Sequence, residues 1–219
     1  MQQLQTAQQT KGRPFVPPSS IVVIGANAGG PQALAQLLPS FPAQFPGVIV
    51  VMQQMRPGFT RVVADELSSV CALPTYEPLD GQTLHAASIV VVPSAAVAKF
   101  TRNDSTGLSE YEIDLEDVGR NAEKRATCIS ATMTGAAEVM GRSSVGVLLT
   151  GMGEDGREGM RAIVGAGGLT IAQDAASSVV HDMALRAIDA RVASEVLPLW
   201  SIADRIIKAV AGEVNADAA

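Results

Sequence analysis

The chain has 219 residues, with 22 acidic against 16 basic side chains, two histidines and two cysteines. At roughly 100–200 residues per domain it accommodates one large domain plus tails, and 47% hydrophobic against 17% charged residues exclude wholesale disorder. An isoelectric point near 4.9 argues against a phosphate-binding surface, so DNA and RNA are excluded as partners.

Residues 1–18, rich in Gln, Thr and Pro, read as a flexible tail; the folded domain is expected over 19–212, with 213–219 as a C-terminal tail. The first twenty residues carry no apolar signal region, and no window reaches the ~18 apolar residues of a membrane span. A cytoplasmic location without membrane insertion is therefore expected. The pattern then alternates. Apolar Ile21–Ile24 predicts a strand, Gln32–Leu38 a helix, Val48–Val51 a strand, Arg61–Ser69 a helix and Ile89–Val92 a strand. Residues 101–127 break the rhythm and predict a polar loop or hairpin insertion through Tyr111-Glu112-Ile113, with the acidic run Glu110–Asp117 as a solvated face. Strand Val145–Leu149, helix Asp155–Val164, strand Leu169–Gln173 and helices Met183–Ala190 and Ile202–Val210 complete the chain. Short apolar runs between helical stretches predict an α/β fold: a doubly wound, three-layer α/β/α domain. Cys71 and Cys128, far apart and flanked by no histidine, read as buried thiols rather than a disulfide or a zinc site.

In open α/β sheets ligands sit beyond the carboxyl ends of the strands, so the strand-to-helix turns carry the functional signal. Three stand out. Gly25-Ala26-Asn27-Ala28-Gly29-Gly30 follows the first strand. It misses the dinucleotide fingerprint GxGxxG, because the second Gly position is Asn27, and no acidic residue ends the next strand to hold a ribose. No nucleotide or other cofactor is expected. The same turn has the spacing of a GxSxG nucleophile elbow, with the amide of Asn27 at its centre. The second turn is Gln53-Gln54-Met55-Arg56-Pro57-Gly58-Phe59-Thr60, and the third runs from Leu149 to Gly156. There Gly151, Gly153 and Gly156 allow close backbone approach, and Asp155 stands either as the N-cap of its own helix or as a functional carboxylate.

These turns, read together as GANAGGPQAL, QQMRPGFT, LTGMGEDGREGM and AGGLTIAQDAASSVVHDMALRAI, resemble the catalytic domain of the CheB-type chemotaxis protein-glutamate methylesterases. That family shows a GAS elbow followed by GG and P, then QHMPPGFT, LTGMGxDG and AGGxTIAQDxxSSVVxGMPxxAI. The likeness runs with few gaps from about residue 20 to 210, and its last two motifs are highly specific. It implies a mostly parallel sheet with a small antiparallel hairpin. It also implies hydrolysis of methyl esters on chemoreceptor glutamates, and a chemoreceptor cytoplasmic domain or another chemosensory protein as partner.

Position by position, the resemblance fails where the chemistry happens. The family's catalytic serine falls on Asn27 and its catalytic histidine on Gln54; its aspartate is kept as Asp155. In such a triad the hydroxyl attacks, the imidazole takes the proton and the carboxylate orients the imidazole. An amide is no general base, so loss of this unit costs on the order of 10⁶ in turnover. Gln54 can still donate to Asp155 and accept from Asn27, which would keep the cleft's hydrogen bonds without a proton shuttle. Ala28, Met152 and Gly153 are the expected binding positions, Met152 lying in the segment that resembles the family's oxyanion hole. The family's GMP reads Asp182-Met183-Ala184, and its RPS reads Ala126-Thr127-Cys128. The family commonly carries an N-terminal receiver domain, for which the residues before Ser20 are too few. The leading expectation is a degenerate domain that acts by binding. Two alternatives stand: a hydrolase acting on chemoreceptor glutamyl methyl esters, either a residual glutamate methylesterase or one with a modified site using groups such as His181 and Asp182, and a metabolite-binding cleft. His85 resembles a surface position.

Overall fold

The computed structural model describes residues 14–105, 107–119 and 121–212; residues 1–13 of the expected 1–18 tail and the whole expected 213–219 tail lie outside them. Strand β1 (Ile21–Ala26) is buried along its whole length. Its alternation serves two cores. Val22, Ile24 and Ala26 pack with Leu34, Leu67 and Ile202 on one side, and Ile21 and Val23 with Ile129, Met160 and Met183 on the other. A strand covered on both faces needs a continuous apolar run, which is why IVVI carries no polar alternation.

Beside β1 lie β2 (Val48–Gln53) on one edge and, on the other, a strand formed by Ser144–Leu148. Taking the remaining strands in chain order gives β3 (Thr75–Tyr76), β4 (Gln82–Thr83), β5 (Ser88–Val91), β6 (Ala96–Asn103), β7 (Glu110–Asp117), β8 (Ser144–Leu148), β9 (Leu169–Gln173) and β10 (Glu195–Leu197). The seven-stranded sheet has the order β10-β9-β8-β1-β2-β5-β3 and every pairing in it is parallel. The order reverses between β1 and β8, the switch point at which such sheets open a crevice.

The helices are α1 (Gly30–Leu37), α2 (Thr60–Val70), α3 (Ala122–Arg125), α4 (Cys128–Met140), α5 (Arg157–Gly165), α6 (Asp182–Asp189) and α7 (Leu199–Val210). Helices α1, α2 and α7 cover one face, and α4, α5 and α6 the other. The doubly wound α/β/α architecture predicted from the alternation is the one observed. No helix among the described residues is long and apolar enough to cross a membrane.

Two features depart from the sequence reading. The hairpin of β6 and β7 begins at Ala96, earlier than the polar segment, and pairs with β4 as a three-stranded antiparallel sheet. Its inner face is apolar: Phe100, Tyr111 and Ile113 are buried in the core under α4. The longest helix among the described residues, α4, has no counterpart in the predicted elements. Its sequence CISATMTGAAEVM is built of small residues and Thr, and its local N-cap residue, Thr127, makes no side-chain capping bond. Small residues let α4 lie close to its neighbours. A Cβ on Gly159 of α5 would stand 2.5 Å from the Met133 Cβ and 2.7 Å from the Ser130 carbonyl oxygen.

Of the two cysteines, Cys128 is buried and Cys71 half-buried, and both are free. At the amino ends of β2 and β5, residues 14–16 pack onto the domain. Phe15 meets His85 edge-on at 4.9 Å, and the Val16 carbonyl accepts the Ala86 N–H.

Candidate functional site

The site grows from the carboxyl ends of the three central strands. β1 ends at Ala26 opposite Gln53 of β2, so the next residues, Asn27 and Gln54, are neighbours by register. Backbone bonds extend the ladder past the strands: Gln54 N–H donates to the Ala26 carbonyl at 2.9 Å and Asn27 N–H to the Thr150 carbonyl at 3.1 Å. Gly151 must be glycine here, since a Cβ would stand 2.8 Å from the Asn27 Cβ.

Buried polar side chains at the strand ends, none of them among the candidate site residues, lock these loops. Gln53, 2% exposed, donates its Nε2 to the carbonyls of Asn27 and Gln54, both at 2.9 Å. Thr150 donates its hydroxyl to the Ala28 carbonyl at 2.9 Å and accepts the Val180 N–H. Gln173 accepts the Thr150 N–H through Oε1 and donates Nε2 to the Ser177 carbonyl. The available signal was a polar residue closing an otherwise apolar strand, because a buried polar group is kept only with partners.

On this frame the structure brings Asn27, Gln54 and Asp155 into one hydrogen-bonded chain. Asn27 Nδ2 donates to Gln54 Oε1 at 2.9 Å, and Gln54 Nε2 donates to Asp155 Oδ2 at 2.6 Å. The carboxylate only accepts, so it orients the Gln54 amide, which in turn orients Asn27. Asn27 Nδ2 also reaches the Met152 carbonyl at 3.3 Å. Every link is an amide N–H aimed at an oxygen. The arrangement offers no nitrogen lone pair to take a proton and no hydroxyl or thiol to attack.

Asp155 does more than end this chain. Its own helix, α5, starts at Arg157 with Gly156 as N-cap at φ 96°. Asp155 instead caps α4: Oδ2 accepts the Ile129 N–H and Oδ1 the Ser130 N–H, both at 2.9 Å. Oδ1 also accepts the Gly156 N–H at 2.8 Å. The expected N-cap role at its own helix is therefore corrected: Gly156 holds that position, and Asp155 accepts the first-turn N–H groups of a helix that precedes it in the chain. Burial pushes the Asp155 carboxyl above its ordinary value, and the backbone N–H groups of Ile129, Ser130 and Gly156, with the Ser130 hydroxyl, oppose that shift.

A cleft of about 450 Å³ opens beside the chain, with Gln54, Asp155, Met152, Gly153, Ala126 and Thr127 in its wall. The expected binding positions are dispersed in role. Met152 is 61% exposed at the rim. The Gly153 N–H is taken by Asp182 Oδ2 at 2.8 Å, and the Ala28 carbonyl by Thr150. That Gly153 bond is the main cause, with Arg186 second, of an Asp182 carboxyl held below the ordinary range. His181 pairs its Nε2 with the Gln173 carbonyl at 3.1 Å, placing the ring against β9 rather than on the Asn27–Gln54–Asp155 chain. His85 lies at the opposite end of the sheet, against Phe15. The Cys128 thiol points at the Lys124 carbonyl, and burial followed by the nearby Asp155 charge pushes it up to about 11.

Comparison with known proteins agrees with this geometry. The family model for CheB methylesterase matches residues 22–206. A protein-glutamate methylesterase/protein-glutamine glutaminase of Carboxydothermus hydrogenoformans is 41% identical over 186 residues, covering 85% of this chain and 54% of the relative. One of Symbiobacterium thermophilum is 37% identical over 193 residues, covering 88% and 51%. The chain spans about half the length of the curated relatives it matches. The crystal structure of the Thermotoga maritima CheB methylesterase catalytic domain superimposes with a TM-score of 0.80 at 32% identity, covering 86% of this chain and 97% of that one. The central elbow, the switch-point cleft and these likenesses converge on one assignment: the chain belongs to the CheB methylesterase family.

Proposed function

We propose that this domain is a catalytically degenerate CheB-like module that works by binding, as a regulatory component of a cytoplasmic chemosensory system. Its partner on this reading is the cytoplasmic part of a chemoreceptor or another chemosensory protein. The observation that carries the proposal is the Asn27–Gln54–Asp155 chain, in which two side-chain amides in series end on a carboxylate, with no imidazole or hydroxyl among the three. An amide N–H cannot receive the proton that ester hydrolysis must move, and Asn27 carries no nucleophile to replace a serine. Exposed apolar side chains around the same end of the sheet support a docking role: Phe59 after β2, Met152 after β8 and Val179 after β9. Such groups at a cleft rim supply contact area for a partner.

The test is methyl release from a methylated receptor by the purified protein, beside binding of the same receptor. Binding without release is expected, and turnover comparable to an intact methylesterase overturns the proposal. The paired change Asn27→Ser with Gln54→His is expected to restore measurable esterase activity, since the cleft and Asp155 already stand in place. No activity in a folded double variant would show that the cleft has changed further.

A further inference from the structure

A second cavity, of about 670 Å³, opens at the end of the sheet opposite the Asn27–Gln54–Asp155 chain, where β1, β8 and β9 begin. Its walls are the chain entering β1, the turn Gly141–Ser143 between α4 and β8, the Gly167-Gly168 turn before β9 and the last turn of α7. The segment ahead of β1 leaves this end open. Ser19 bonds to the Pro46 carbonyl and the Val16 carbonyl takes the Ala86 N–H, so that segment runs over the starts of β2 and β5 instead. Polar groups in the wall stand uncommitted among the described residues. Ser20 is only 5% exposed, yet its hydroxyl makes no hydrogen bond there, whereas a buried hydroxyl is ordinarily partnered. The half-buried Ser143 hydroxyl and the exposed Arg142 guanidinium are likewise without a partner. The other guanidinium, that of Arg205, is taken by both oxygens of Glu195, each 2.9 Å from its Nε. No acidic residue stands in the wall, and Val145, Leu169, Ala209 and Val210 supply its apolar part.

We infer that this cavity binds a small organic monoanion, a carboxylate carried on an apolar body. The inference stands apart from the cleft at the other end of the sheet and does not depend on how that cleft works. A guanidinium presents a planar fork of N–H donors that meets a carboxylate through two parallel bonds, and the hydroxyls of Ser20 and Ser143 add further donors. One uncommitted positive charge matches one negative charge. A phosphate dianion would bring a second charge with no cation to meet it, in a chain whose net charge is already −6. The volume falls within the roughly 300–1,000 Å³ of small-molecule sites, and the four aliphatic side chains reward burial of an apolar body.

Octanoate serves as the probe, titrated into the full chain and followed by amide NMR spectra and calorimetry, with octanol as the same body without charge and octyl phosphate as the dianion. Octanoate is expected to shift the amide signals of Ser20, Ser143 and Gly168 first. It should bind about tenfold or more tighter than octanol, the usual effect of a hydrogen-bonded charge, and at least as tightly as octyl phosphate. Arg142→Gln, shown to be folded by circular dichroism, should erase the preference over octanol, and Ser20→Ala should weaken octanoate severalfold. Several results overturn the inference: no saturable binding, shifts at Asn27 or Met152 in place of those three amides, equal binding of octanoate and octanol, or tighter binding of octyl phosphate. So does a preference unchanged in Arg142→Gln, or an octanoate affinity unchanged in Ser20→Ala. The receptor assay reads the cleft separately, so failure here leaves the binding function of the domain standing.

Discussion

Replacing Asp155 by alanine measures what this carboxylate holds in place. The side chain, 7% exposed, accepts N–H groups from Ile129, Ser130 and Gly156 and the Gln54 amide. Truncation removes the cap of α4, worth about 1 kcal/mol. It strands the buried Ile129 N–H, which adds about 1–3 kcal/mol. The Gly156 N–H retains the Ser130 hydroxyl at 2.7 Å, and Gln54 lines the cleft and can turn to water, so neither adds much. Relief from burying a carboxylate offsets part of the loss. The net expectation is about 2–3 kcal/mol of lost stability, read by urea unfolding followed by far-UV circular dichroism. Amide exchange should quicken first at Ile129 and Ser130. Because burial raises the native pKa, ionisation of Asp155 works against folding. Its contribution is complete below the ordinary carboxylate value and declines as pH rises through the native one. The penalty of Asp155→Ala should therefore be smaller at about pH 7 than at about pH 3. A loss below about 0.5 kcal/mol with unchanged exchange at the α4 start would refute the capping argument.

Other expectations follow from the same contacts. Gly159→Ala gains about 1 kcal/mol of helix propensity but drives a Cβ into Met133 and the Ser130 carbonyl. A net destabilisation of about 1–2 kcal/mol is expected, and a rise in the unfolding midpoint would contradict the close α4–α5 packing. The Cys128 thiol, pushed up to about 11 from 9.0, should be alkylated by iodoacetamide about a hundredfold more slowly than an ordinary thiol near pH 8. Rapid labelling of native protein would count against it. Glu116, between Lys99 and Lys124 at 2.8 Å each, is held down to about 2. Its stabilising effect should be complete above 4.5 and lost as pH falls toward 2. An NMR titration of its carboxyl with a midpoint near the ordinary value would show that the two lysines do not hold it.

The parts of this protein legible in its residues are those governed by short-range pattern. IVVI, VIVV and VGVLL are apolar without alternation, so strands buried on both faces, and hence a parallel sheet under two layers of helices, follow from chemistry local to each run. The glycine-rich turns after β1 and β8 marked the crevice for the same reason, because close backbone approach leaves glycine at fixed positions. The placement of Asn27, Gln54 and Asp155 in equivalent turns could be read from motif likeness alone.

What the residues did not disclose is what depends on polar partners distant in the chain. Helix α4 lacks a local cap and a strong amphipathic signal; it is completed by Asp155, which folds back 25 residues or more to meet its first turn. The Tyr111 and Ile113 side chains, inside an acidic run, are buried because the hairpin turns that face onto α4. The carboxylate at Asp182 gains its meaning from the Gly153 N–H, 29 residues away. Hydrophobic periodicity specifies which face of an element is covered, whereas a buried hydrogen bond is specified only when tertiary packing brings its donor and acceptor within reach. The sequence by itself therefore determined the family and the layers. The tertiary structure alone decided that the Asp155 carboxylate holds a helix in place and that the Asp182 carboxylate takes a backbone N–H of the cleft wall.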